Sequence, residues 1–300
     1  MYKKTAVLFL VCALTMCSNA TLYAGHSCIP IVNLPMEINH AGHYCLMHNF
    51  YYSGTTHAIT IKSSHVVLDL NRHKIQLTPW SSKNSIYGIY SKNAHDLIIK
   101  NGKVSGFMYG IYLADKKGSN TKGDSTSGNY LIENMQLTNN TFRAIRLEGV
   151  KHVVRNNLIT HTGGSEVFAN AFAIGIEIIG PQAQIERNSI RNTKAKGTGE
   201  SIAISFSNNC QKSVARDNEI FNPYALFAKR AHHRGSSGHS FGIWVGGNLV
   251  YPSDVLLQNN RIKNYYYGIA YSSPTRGVVS GNAFYDVDRD LFFNGAVVIH

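Results

Sequence analysis

Arg146, Glu148 and Glu177 are the residues of this 300-residue chain whose types and spacing most directly suggest bond-breaking chemistry. On stacked strands Arg146 and Glu177 share a column of adjacent repeats. Glu148 lies two residues along, its Cα roughly 8 Å diagonally from that of Glu177. Two carboxylates so placed suit an inverting glycoside hydrolysis, one as acid and the other as base on water. An ordinary cross-strand ion pair is the plainer use of the same three residues. Glu200 and His239 are further acid–base candidates. Lys229, Arg230, His232 and His233 crowd one short segment and would neutralise ligand carboxylates. Tyr90, Tyr112 and Trp244 offer faces on which sugar rings stack. His232, His233 and His239 make a poor metal set, with no Cys or acidic pattern beside them, so no metal ligands are assigned.

These residues share a site only if the chain coils. Asn157/Ile159, Asn188/Ile190, Asn218/Ile220, Asn260/Ile262 and Asn282/Phe284 repeat one unit: an Asn, then a large apolar residue two positions on. His73/Ile75, Gly102/Val104 and Met135/Leu137 echo it earlier. A recurring short strand with an Asn at its edge marks a solenoid. The minimal turn is 22 residues, from Asn260 to Asn282. Asn192, Asn222, Asn264 and Asp286 form a second bend column. This predicts an all-β, single-stranded, right-handed parallel β-helix of about eight to nine coils, with bend Asn side chains bonding the coils above and below.

A second column reads Gly88-Ile89, Gly110-Ile111, Ala144-Ile145, Gly175-Ile176, Ala203-Ile204, Gly242-Ile243 and Gly268-Ile269. With Ile inward, strict alternation turns each small residue outward, which predicts a smooth groove floor. The next outward column is then Tyr90, Tyr112, Arg146, Glu177, Ser205, Trp244 and Ala270. Simple easing of packing is the other use of small residues there. Residues 78–86, 163–172, 193–200 and 223–240 all enlarge the bend entering this strand and would wall the groove. Residues 115–128 enlarge the opposite edge and carry Lys116, Lys117 and Lys122.

Between Cys28 and Leu77 the chain reads Leu34-Pro-Met-Glu-Ile38, His40-Ala-Gly-His-Tyr-Cys-Leu46 and Ala58-Ile-Thr-Ile-Lys-Ser-Ser-His-Val-Val-Leu-Asp-Leu-Asn-Arg-His-Lys-Ile75. This opening resembles that of exported β-helix repeat proteins of the pectin-lyase-like superfamily. The resemblance covers nearly all of the chain after its N-terminal segment and implies the fold. It does not single out an activity, because that superfamily holds lyases, hydrolases, esterases, epimerases and non-catalytic binders. Aligned on polygalacturonase motifs, Asn170-Ala171-Phe172, Gly199-Glu200 and Gly238-His239-Ser240 fall in the right column and order. Phe172 and Gly199 stand where that family needs carboxylates, and Arg261-Ile262-Lys263 lies on another strand, so its standard mechanism is not expected.

The N-terminus, Met-Tyr-Lys-Lys followed by an apolar run from Ala6 to Met16, reads as a secretory signal through residue 24, with Ala20 or Ala24 at its end. No other segment is apolar enough to span a bilayer. Residues 25–56 are expected to cap the coil, and 57–300 to form it. The last residues, Ala296 to His300, read as an uncapped strand through which copies could associate. Export permits a disulfide, and Cys28–Cys45 is the nearest pair. Cys210 reads as a small buried residue.

The formal charge is +12, or +10 once Lys3 and Lys4 leave with the signal. A secreted or periplasmic basic protein implies an acidic polysaccharide or anionic envelope surface as partner. Nothing points to a specific nucleic acid. Binding with lyase-like or glycosidase-like cleavage is one reading; a lyase would use a base on C5 and a basic side chain or Ca2+ on the uronate. A non-catalytic binder, adhesin or periplasmic accessory protein is the rival. The 14 His suggest a third, a metal-handling protein of this fold.

Overall fold

A computed structural model describes residues 28–115, 127–223, 238–250, 252–272, 274–294 and 296–299. The signal segment, Lys116, Lys117 and Lys122, and Lys229, Arg230, His232 and His233 lie outside the described residues.

Among the described residues every strand pairing is parallel and joins one coil to the next. The Asn-x-Ile unit stacks in strict register: Ile75, Val104, Leu137, Ile159, Ile190, Ile220, Ile262 and Phe284 are successive partners. The small-Ile strands stack likewise, from Ile59 and Ile89 to Ile269 and Leu291. They form a ten-stranded sheet, while the other strands merge into an eighteen-stranded one. The merger occurs because Leu97–Ser105 and Leu131–Thr138 run unbroken through two strand columns. The chain is therefore an all-β parallel β-helix. Strands within residues 25–56, such as Gly42–Leu46 and Phe50–Tyr52, pair into the same sheets. The last described strand, Ala296–Ile299, pairs with Arg276–Ser280 and leaves Val298 and Ile299 exposed.

The corner before each ladder position explains the repeat. Arg72, Asn101, Asn134, Asn156, Arg187, Asp217, Asn259 and Gly281 immediately precede it, and all have positive φ. Asn, Asp and Gly tolerate that conformation best, which accounts for their recurrence. Asn157, Asn188, Asn218 and Asn260 of the ladder are buried and bonded on both sides. Asn157 donates Nδ2 to Asn188 Oδ1 at 2.9 Å and to Ile132 O at 3.0 Å, and its N–H also reaches Asn188 Oδ1. The same pattern joins Asn188 to Asn218, Asn218 to Asn260 and Asn260 to Asn282. In the second bend column Asn192, Asn264 and Asp286 take positive φ.

One expectation fails. The small residues of the Gly/Ala-Ile column face inward, not out. A Cβ on Gly110 would sit 2.8 Å from Leu137 Cδ2 and 2.7 Å from Ala144 O; one on Gly242 would meet Ile262 Cγ2 at 2.6 Å. Ala144 and Ala203 are fully buried in the core. The register steps from Tyr109↔Tyr87 to Ile111↔Ile89, passing over the glycine, so the chain bends there. At that bend two consecutive residues face the core and alternation breaks. Gly110→Val should accordingly cost about 1–3 kcal/mol by overpacking. An unchanged urea midpoint would mean that the position faces solvent after all.

Cys28 and Cys45 form a disulfide, with Cα atoms 5.7 Å apart. Cys210 is buried, and burial pushes its thiol up to about 12, so it does not serve as a nucleophile. Among the described residues no helix is long and apolar enough to cross a membrane.

Candidate functional site

The bend at the small residue sets the outer face of the ten-stranded sheet. Residues on either side of each small-Ile pair point out, giving two columns. One is the expected series Tyr90, Tyr112, Arg146, Glu177, Ser205, Trp244 and Ala270, paired in that order. The other was not expected: Tyr87, Tyr109, Arg143, Ile174, Ile202, Phe241, Tyr267 and Arg289. Its signal was present, because like residues flank the pair in Tyr87-Gly-Ile-Tyr90, Tyr109-Gly-Ile-Tyr112 and Arg143-Ala-Ile-Arg146.

The N-terminal part of this face is aromatic. Tyr87 and Tyr109 ring centroids lie 4.7 Å apart, Tyr90 and Tyr112 5.7 Å, and Tyr109 and Tyr112 5.1 Å. His57 stacks on Tyr87 at 4.4 Å and accepts its N–H. Tyr109 is buried, and the other three tyrosines are half-buried. Burial raises all four phenols, and for Tyr112 the charge of Glu148 adds to it. They are therefore protonated near neutrality and offer O–H groups and stacking faces.

The next coils carry charge. Arg143 Nε meets Glu177 Oε2 at 2.6 Å, and Arg146 Nη1 meets the same oxygen at 2.8 Å. Arg146 Nε binds Glu148 Oε1 at 2.7 Å, and Tyr112 donates to that oxygen at 2.9 Å. Ser207 donates to Glu177 Oε1 at 3.1 Å. The Arg143 guanidinium lies 3.7 Å over the Phe142 ring. Burial by itself raises the Glu177 carboxyl, but Arg143 and Arg146 outweigh it and hold it below the ordinary carboxylate range. Glu177 is thus an ionised acceptor near neutrality. Two guanidinium and two carboxylate charges cancel, so the network adds no net charge to the face.

The expected wall is present in its described part. Glu166 N–H donates to Ser82 O at 2.8 Å, Lys196 pairs with Glu166, and Thr198 N–H approaches Asn170 Oδ1 at 3.4 Å. The insertions at 78–86, 163–172 and 193–200 therefore stand together. Phe168 reaches the floor by packing on Phe142 at 5.4 Å, which packs on Tyr109 at 5.5 Å.

Glu200 and His239 sit at the foot of this wall, each just before the paired residues Ser201 and Ser240. Ser201 N–H donates to His239 O, and Ala173 N–H to Glu200 O. Burial raises the Glu200 carboxyl. His239 packs on Tyr266, with centroids 5.8 Å apart. Phe172 is 40% exposed at the position where a polygalacturonase-like site needs an acid. Trp244 leans into an apolar cluster with Ile174, Ile202, Phe241, Tyr267 and Ala270, so it is half-covered. Arg261–Lys263 lies in the eighteen-stranded sheet, beside Arg191, Phe221 and Tyr285 around a cleft of about 280 Å³.

No protein-family model and no curated protein sequence matches this chain. Among solved structures the Dettilon tailspike protein aligns at TM-score 0.48 and 13% identity, over 87% of this chain and 60% of that one. The chain thus spans 60% of that tailspike's length. Alginate lyase from Paenibacillus sp. str. FPU-7 aligns at TM-score 0.44 and 13% identity, over 85% of this chain and 92% of that one. The strand pairings themselves identify the chain as an all-β parallel β-helix, the architecture that the pectin-lyase-like resemblance implies.

Proposed function

We propose that this is an exported β-helix protein that binds an acidic polysaccharide along the outer face of the ten-stranded sheet. The observation that carries this reading is the platform of Tyr87, Tyr90, Tyr109 and Tyr112 on two adjacent coils, abutting Arg143 and Arg146. Aromatic faces pack on sugar C–H surfaces, and the Tyr87 and Tyr90 phenols supply donors to ring hydroxyls. Because the Arg–Glu network is neutral, preference for an anionic polymer comes from the net charge, +12 for the full chain and +10 without Lys3 and Lys4. Lys229 and Arg230 are part of that charge, and with His232 and His233 they are proposed to contribute to the preference.

Tyr90→Ala combined with Tyr112→Ala should weaken retention on immobilised pectate or alginate at least about tenfold, the equivalent of roughly 1.4 kcal/mol. Arg261→Ala with Lys263→Ala, on the other sheet, should weaken it far less, through the two lost charges alone. The opposite pattern would move the binding face to the cleft around Arg261. Retention should also fall as salt rises, and equal retention on a neutral glucan would remove the acidic preference.

Cleavage is a second reading, and Glu200 favours it. Its raised carboxyl holds a proton to higher pH than an ordinary one, as a general acid must, and His239 stands one coil away. If Glu200 is the acid, activity falls as pH rises through its elevated value, and Glu200→Gln abolishes release of reducing ends or unsaturated products. Absence of both products from wild-type protein on pectate, alginate and glycosaminoglycans would leave binding alone.

A further inference from the structure

We propose that His65, His95 and Asp96 form a binding site for a divalent transition ion such as Zn2+, on the corner that enters the eighteen-stranded sheet. His95 Nδ1 lies 2.7 Å from Asp96 Oδ2, and His65 Nδ1 lies 3.4 Å from the same oxygen. One donor atom from each residue lies within 4.8 Å of the other two. Two imidazole nitrogens and one carboxylate oxygen, converging from one side, make a donor set that suits Zn2+ and its neighbours better than Ca2+ or Mg2+. Three protein donors leave further positions open to water.

The fold builds this convergence. Val66 pairs with Leu97, so His65 and Asp96 occupy the same corner of successive coils, and both take positive φ, at 58° and 53°. That shared bend turns the two side chains alike and stacks them one coil apart. His95 is tied by two bonds: its N–H donates to Ser64 Oγ at 3.0 Å, and its O accepts the His65 N–H at 3.1 Å. The His65 and His95 rings meet edge to face at 5.1 Å. Asn129, on the following coil, donates Nδ2 to Asp96 Oδ1 at 2.5 Å, which orients the carboxylate and leaves Oδ2 for the ion. The three side chains are partly exposed, so an ion can enter without unfolding the corner. The site does not depend on the saccharide reading, because its residues lie off the tyrosine face.

Isothermal titration of the full chain with ZnCl2, and visible spectra with Co2+ as probe, test this. One Zn2+ per chain is expected, with Co2+ giving the intense bands of a four- or five-coordinate site. Asp96→Ala and His95→Ala should each weaken Zn2+ binding at least about tenfold. His232→Ala with His233→Ala should leave it unchanged. No binding by the wild type, or binding lost only in the His232/His233 variant, would overturn the site. Asp96→Asn is the second variant, and circular dichroism reports its folding. If folded Asp96→Asn binds Zn2+ as tightly as wild type, the carboxylate is no ligand and the assignment falls.

Discussion

Glu177→Ala should remove about 3–5 kcal/mol of stability, the largest loss expected from a single change on the outer face, because it strands a buried charge. Arg143 is 8% exposed at its side chain and Glu177 6%, and Arg143 loses its carboxylate outright. Arg146 keeps Glu148. The loss reads as a lower urea midpoint. The comparison that isolates charge is Arg143→Met with Glu177→Leu, which should recover most of the loss, since an apolar pair of similar volume leaves no unpaired ion. An equal loss in that double variant would assign the effect to shape.

The same residue predicts a pH dependence. Its carboxyl is held below the ordinary range in the folded chain. A depressed carboxyl adds stability that is fully present above the unfolded-state value, and lost as pH falls through the folded one. The gap between wild type and Glu177→Ala should therefore be constant near neutrality and shrink below about pH 4. A gap that grew in acid would mean that Glu177 is protonated in the native state, and would revive it as a proton donor.

Asn218→Ala comes next in expected size. Asn218 Oδ1 accepts from Asn188 N and Asn188 Nδ2, each at 3.0 Å, and its Nδ2 donates to Ile185 O and Asn260 Oδ1, each at 2.9 Å. Alanine removes the acceptor of the Asn188 backbone N–H and of one Nδ2 hydrogen, the other staying on Val154 O. At roughly 1–3 kcal/mol for each unsatisfied buried group, a loss of at least about 2 kcal/mol is expected. Arg191→Ala, on the exposed face of the same sheet, should stay within about 0.5 kcal/mol. If the two variants unfold at the same denaturant concentration, the Asn column is not what holds the coils.

The ladder was legible because a solenoid writes its geometry as translation. Once Asn188 and Asn218 are seen as one position, Ile190 and Ile220 must be partners, and Arg146 and Glu177 must be neighbours. The shared edge of the insertions followed from the same ruler. Tyr109 and Arg143 were missed because alternation was carried straight through the glycine. The bend at Gly110 puts Gly110 and Ile111 on the same side, which turns Tyr109 outward beside Tyr112. His65, His95 and Asp96 carried no readable spacing, since their meeting depends on where one coil returns over another.

By itself the sequence determined that the chain coils, which residues stack and that the chain is basic. Translation along an axis needs only a repeated pattern, and the pattern is in the residues. Only the tertiary structure decided which way each side chain points at a corner, and hence that Tyr87 and Tyr109 join Tyr90 and Tyr112 on the face while the glycines turn inward. It also decided that Glu177 is held by two arginines. Those facts depend on backbone torsions at single bends and on packing between coils, which no period in the sequence encodes.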